Sequence, residues 1–211
     1  MFVGHYSAAL AAKAAEPRAP LWTYVIACQL LDVGWSGLIM TGAEKVSFDP
    51  SLPAAVLWSL AAALAVRFAM KLPWRAAVFV GLVVFSHWLL DLAVHRPDLE
   101  LWFGGSKVGF GLWNYPVPEQ AIEIGLLAVA GGYWIAQRVR EGRQVRPAAL
   151  FLVLLIAVQI VSMLMPSTGG GVVQMGIMAL ALYLGLGVVA WLIDRRPVDA
   201  AERLPGTPVR A

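Results

Sequence analysis

Charge is scarce in this chain. Only 14% of its 211 residues are Asp, Glu, Lys or Arg, against about 25% in a soluble domain, which argues against an ordinary water-soluble fold. Cysteine is scarcer still. Cys28 stands alone, so the chain can form neither an internal disulfide nor a cysteine metal cage. Histidine is limited to His5, His87 and His95, which caps the imidazoles any metal site could recruit. The formal net charge is only +3, and the basic residues gather between apolar segments, so no nucleic-acid partner is expected. The opening MFVGHYSAALAAKAAEP lacks the basic start and long apolar core of a secretory signal and reads as part of the mature protein. What is abundant is apolar. Hydrophobic residues make up 60% of the chain and the mean hydropathy is +0.72, the composition of a membrane protein.

A hydrocarbon core about 30 Å thick takes roughly 20 apolar residues per helix. Six segments meet that length: about 21–41, 53–72, 75–95, 119–138, 147–165 and 172–194. Pro53, Pro73, Pro97, Pro118 and Pro166 mark their ends, where a missing amide donor does least harm. Trp22, Trp74, Trp102, Trp113 and Trp191 fall near the expected interfaces, where an amphipathic ring rests. Thirteen of the sixteen Lys and Arg residues lie on one side of this arrangement, and only Lys45, Arg96 and Lys107 on the other. The positive-inside bias makes the first side cytoplasmic, so the C-terminus is cytoplasmic and the 96–118 loop faces out. The expectation is an all-α, polytopic membrane helix bundle with six transmembrane helices in one domain over residues 1–196. A disordered polar tail follows over 197–211. Residues 2–16 are too short to span. They either lie along the interface or form a short half-inserted helix with Lys13 at the cytoplasmic edge and His5 at the buried end, its alanines permitting close packing.

The acids and imidazoles inside these spans share a level. Counted at 1.5 Å per residue from the cytoplasmic edge, Asp32 and His87 stand at roughly 17 Å, Asp91 at roughly 24 Å and Glu123 at roughly 22 Å. An inserted N-terminal helix brings His5 to roughly 20 Å. Each ionisable group at a helix centre costs about 2.5–3.5 kcal/mol on the insertion scale, and no Lys or Arg lies at that depth to neutralise the acids. A divalent cation would do so, since carboxylate and imidazole suit zinc and related ions. A protonated hydrogen-bonded cluster or a water-filled cavity would also serve.

In SHWLLDLAVHRPDL, residues His87, Asp91 and His95 recur at i, i+4 and i+8, about 40° apart per step, and so share a helix face. HxxxD lets an imidazole and a carboxylate grip one ion from adjacent turns, as in HExxH. Alone it is a weak signal, and a structural hydrogen-bonded pair is its bland counterpart. The structural alternatives are that Asp32 is a helix-packing acid, Glu123 a solvated first-turn residue and His5 a residue without a role. Glu119 reads as an N-terminal acid favoured by the helix dipole. His95 and Asp98 lie near the outer mouth, where a capping or loop-bracing role stands beside ligation, and Asp98 after Pro97 reads as turned away on a loop. Ser86, Gln29 and Ser36 are candidates to fix the imidazole tautomers.

Taken together, GHYSAALAAKAAEP at the start, QLLDVGW in the first span, SHWLLDLAVHRPDL in the third and GGSKVGFGLWNYP leading into EQAIEIGL resemble the membrane-bound metal-dependent hydrolases predicted in bacteria and archaea. The resemblance covers residues 2–125 and leaves the last two spans without a motif. That family is distantly similar to zinc-dependent phospholipases C and related single-strand nucleases, all-helical enzymes that hold zinc ions with His and Asp or Glu side chains. The resemblance implies a metal set of His5, Asp32, His87 and Asp91, with His95 and Glu123 as further members, in a prokaryotic plasma (inner) membrane. The soluble relatives are rich in histidine and also use the mature N-terminal amino group as a ligand. With three histidines, this chain is expected to hold one or two divalent ions, zinc first.

The expected function is divalent-metal-dependent hydrolysis of a membrane lipid or a lipid-linked (phospho)ester. The ion would lower the pKa of a bound water toward about 7 and polarise a phosphoryl oxygen. Glu123 is expected as general base or further ligand, and His95 as proton donor to the leaving group or ligand to a second ion. Arg96 and Lys107 would hold the phosphate at the outer mouth. The glycines of GGSKVGFG permit close backbone approach or a mobile lid. A site in the outer half of the bilayer favours a lipid entering sideways over a soluble polymer. Two rivals stand beside this reading. One is a transporter or proton/ion conduit, for which intramembrane carboxylates and histidines are the usual marks. The other is a membrane protein that keeps metal for structure alone. Gln159, Ser162 and Gln174 hint at a polar seam in the last two spans.

Overall fold

The computed structural model describes residues 3–40, 51–164 and 171–195. Lys45, the 197–211 tail and the ends of the first and fifth expected spans lie outside them. Among the described residues the fold is helical. A 3-10 turn, Val3–His5, leads into α1 (Tyr6–Ala15), followed by α2 (Leu21–Ala27), α3 (Leu30–Met40), α4 (Leu52–Phe68) and α5 (Trp74–Val94). After the loop come α6 (Pro116–Arg140), α7 (Arg146–Leu164) and α8 (Val172–Arg195). The loop between α5 and α6 holds a small antiparallel hairpin, β1 (Leu99–Glu100) with β2 (Lys107–Val108), and a 3-10 turn at Leu112–Asn114.

Three helices are long and apolar enough to cross a membrane by length and composition: α5, α7 and α8 over Val173–Asp194. α4 is apolar but shorter, at 17 residues. The outside of the bundle is apolar too. Leu57, Phe68, Leu82, Val129, Val153 and Leu192 are each more than half exposed, a surface suited to lipid rather than water.

The expected first span is two helices. α2 closes at Cys28, whose amide donates to the Tyr24 carbonyl at 2.9 Å, and the Gln29 amide reaches the Ile26 carbonyl at 3.1 Å. That i→i+3 bond tightens the last turn. No Pro or Gly marks the interruption. The next difference is at the end of α5, where His95 is the capping residue with an extended ψ of 146°. Arg96 precedes Pro97, and a residue before proline is disfavoured in helix. His95 therefore leaves the helical face that His87 and Asp91 share.

The N-terminal helix is interior. Val3, Tyr6, Ala9 and Leu10 are fully buried, and α1 packs against α2, α5 and α6. Its alanines let those neighbours come close. The far end of α1 is pinned by charge. Lys13 Nζ donates to the carbonyls of Pro17 (3.1 Å) and Ala19 (2.8 Å) and lies 3.5 Å from Asp194 of α8. Glu16 accepts from Arg18 at 2.6 Å and pairs with Arg75, at the start of α5, at 3.1 Å. The Glu16–Arg75 pair gives α1 and α5 a common origin. His5 and His87, eleven and twelve residues away, then rise about 17 and 18 Å from it. This shared height is what builds the site.

Candidate metal centre

Three elements meet at that level. The 3-10 turn brings His5, α5 brings His87 and Asp91 one turn apart, and α3 brings Asp32. His5 Nε2 lies 3.2 Å from Asp91 Oδ1, and His87 Nε2 lies 3.0 Å from Asp91 Oδ2. On its other side, His87 Nε2 lies 3.3 Å from Asp32 Oδ1. The ligand atoms of His5, His87 and Asp91 fall within 4.8 Å of one another, and all three residues are buried. For ion–donor distances of about 2.0–2.1 Å, the edge of a tetrahedral shell is about 3.4 Å. The observed spacings are close to that edge.

The protonation logic points the same way. His87 Nδ1 is 2.7 Å from the Cys28 carbonyl oxygen, which can only accept, so Nδ1 carries the proton. In the neutral ring Nε2 is then a lone pair. It faces two carboxylate oxygens, Asp91 Oδ2 at 3.0 Å and Asp32 Oδ1 at 3.3 Å. Three acceptors turned toward one another repel unless something positive stands among them. Either a proton makes His87 an imidazolium, or a cation is held.

His5 is fastened from behind. The Gly4 amide donates to Glu123 Oε2 at 2.9 Å, and the Val3 amide donates to Gln159 Oε1 at 3.4 Å. Gln159 in turn donates to Gln120 Oε1 at 2.6 Å, and Gln120 to Glu119 Oε2 at 2.7 Å. This ladder joins the His5 turn to α6 and α7. Glu123 thus sits beside the centre, outside the three-residue group.

The remaining expected residues lie toward the hairpin end. His95 Nε2 is 3.9 Å from Asp91 Oδ1, its Nδ1 is 2.9 Å from Asp98 Oδ1, and its ring leans on Trp113 at 4.1 Å between centroids. Asp98 braces His95, the loop-bracing role open to both. Arg96 is held by Asn114, to which its Nε donates at 2.9 Å. Lys107 is exposed on β2. Neither basic residue is among those gathered at the centre. Ser86, expected to fix a tautomer, donates to Val83 within its own helix at 2.7 Å.

Two partners carried no sequence signal. One is the Cys28 carbonyl, presented by an interruption that no proline announces. The other is Tyr183 of α8, whose hydroxyl donates to Asp32 Oδ2 at 2.9 Å. A lone tyrosine in an apolar helix looks like core. Comparison of the chain with protein families, with curated proteins and with solved structures finds no match.

Proposed function

We propose that the chain is an integral membrane enzyme of six spans plus an inserted N-terminal helix, a divalent-metal-dependent hydrolase of a lipid or lipid-linked phosphoester. The observation that carries the metal reading is the direction of His87 Nε2, aimed between Asp91 and Asp32 beside His5 Nε2. His5, His87 and Asp91 would hold the ion, with Asp32 at its open side. Zinc bound there would supply Lewis acidity toward a phosphoryl oxygen and bring water to a pKa near about 7.

The rest of the chemistry falls to the chain. The Cys28 carbonyl keeps His87 in the ligating tautomer, and Glu123 keeps the His5 turn in place. Asp32, with 35% of its side chain exposed against 8% for Asp91, marks the side from which a substrate reaches the cluster. Access from the flank of α3 suits a lipid better than a soluble polymer. His95, between Asp91 and the exposed Asp98, would pass a proton to a departing alkoxide. Lys107 is the freer of the two basic residues to meet a phosphate. Membership in the family of membrane-bound metal-dependent hydrolases, in a prokaryotic inner membrane with the C-terminus cytoplasmic, belongs to this same proposal.

The test is metal quantification on the purified chain, followed by hydrolysis of a phospholipid and lipid-pyrophosphate panel with and without chelator. Stoichiometric ion and chelator-sensitive release of a headgroup support the proposal. A second reading, an ion conduit, draws on the interrupted α2–α3 helix beside buried acids. Vesicle flux that Asp32→Asn abolishes, in a protein that hydrolyses nothing, would favour it.

A further inference from the structure

We infer that Tyr183 is a positioning residue for Asp32, which makes α8 part of the metal centre; this rests on the metal reading proposed above. Its hydroxyl donates to Asp32 Oδ2 at 2.9 Å, while Asp32 Oδ1 lies 3.3 Å from His87 Nε2. The two oxygens of one carboxylate are thus divided, one held by α8 and the other turned to the cluster. Asp32 needs such a hold. It is the least enclosed acid of the group, and a carboxylate open on one side rotates unless one oxygen is tethered.

Tyr183 has its own reason to point inward. α8 is otherwise a lipid-type helix, with Leu184 and Val188 about half exposed, yet Tyr183 is buried at 6%. A hydroxyl within apolar surroundings is penalised unless it finds a partner. α3 and α8 are packed together, and Asp32 is the acceptor that the α3 face offers. The hydrogen bond therefore satisfies the tyrosine and aims the acid at once. Side chains that flank the ligands of a metal site typically contribute about 10–100-fold in metal affinity, and Asp32, held by Tyr183, flanks the His5–His87–Asp91 group.

Zinc affinity of the full-length chain in detergent is the direct test, measured by chelator competition on wild type, Tyr183→Phe, Asp32→Asn and the double variant. Tyr183→Phe removes one oxygen and keeps the ring, so melting of the metal-free protein serves as the check on folding. The expected result is Kd raised about 10–100-fold in Tyr183→Phe at unchanged stoichiometry, with a shifted Co(II) absorption spectrum. In the Asp32→Asn background the same change should move Kd less than about twofold, because the coupling partner is already gone. An unchanged Kd in Tyr183→Phe, or two effects that simply add, overturns the role of Tyr183 and leaves the metal reading standing. A wild-type chain that binds no zinc overturns both.

Discussion

The imidazole rings of His5 and His87 lie face to face, with 4.0 Å between centroids and 18° between planes. Both present Nε2 to Asp91, each to a different carboxylate oxygen. Two imidazolium ions stacked this closely would repel, so the pair cannot balance Asp32 and Asp91 merely by both taking protons. One divalent ion among the four side chains would balance the two carboxylates and draw on Nε2 of both neutral rings.

Metal retention should follow this geometry. Wild-type protein is expected to carry about one divalent ion per chain through gel filtration, and His87→Ala and Asp91→Ala almost none, because removing one of three donors takes away most of the binding free energy. Mass-spectrometric metal analysis decides. Equal metal content in wild type and His87→Ala would mean the ion sits elsewhere.

Glu123 separates two roles. If it only secures the His5 turn through the Gly4 amide, Glu123→Gln, which keeps an acceptor oxygen, should retain metal and most activity. Glu123→Ala should then lose about 1.5–3 kcal/mol of stability, the worth of a hydrogen bond to a charged group, and bind metal about 10–100-fold more weakly. If Glu123 is a general base, Glu123→Gln should abolish hydrolysis at full metal occupancy. Thermal melts, chelator competition and turnover on the same two variants distinguish the cases.

How much of this was legible in advance follows from what helical periodicity encodes. Rise per residue gives height and the 100° step gives face, so the convergence of Asp32, His87, Asp91 and His5 could be argued from counting. His95 could not be placed that way, because Pro97 ends the helix one residue before it and removes the periodicity. Glu123 has the right height, but height does not say that its oxygen faces the Gly4 amide. Tyr183 and the Cys28 carbonyl were invisible for a related reason. Each acts through one hydrogen bond across helices, and no spacing within a single segment records it.

The hairpin end should depend on Gly109. A Cβ there would meet the Arg96 carbonyl oxygen at 2.2 Å and that of His95 at 2.5 Å, and both are backbone atoms that cannot swing aside. The same stretch is bonded to α5 through Phe110 N to Leu92 O (2.8 Å) and Gly111 N to His95 O (2.7 Å). Gly109→Ala should therefore lift the loop off the end of α5, at about 1–3 kcal/mol, and expose it to protease. Gly125→Ala, where nothing lies within 4 Å, is the control and should be neutral or stabilising by up to about 1 kcal/mol. Limited proteolysis and melting temperature read both; equal behaviour would show that the loop has room to adapt.

Acid should loosen the opposite end. Hydrogen bonds from Arg18 hold the Glu16 carboxyl below its ordinary range, and Arg75 adds to the effect. A carboxyl depressed in the folded state contributes stability that is fully present above the unfolded value of about 4.3 and is lost as pH falls through the lower, folded one. Both arginine side chains are more than half exposed, so water screens the pairs and the contribution is about 0.2–1 kcal/mol. Glu16→Gln should melt lower than wild type at pH 7, and the gap should close as the pH drops below about 4.3. If the two proteins melt together at neutral pH, Glu16 does not set the shared origin of α1 and α5. The heights of His5 and His87 would then have to be fixed by the apolar packing of α1 alone.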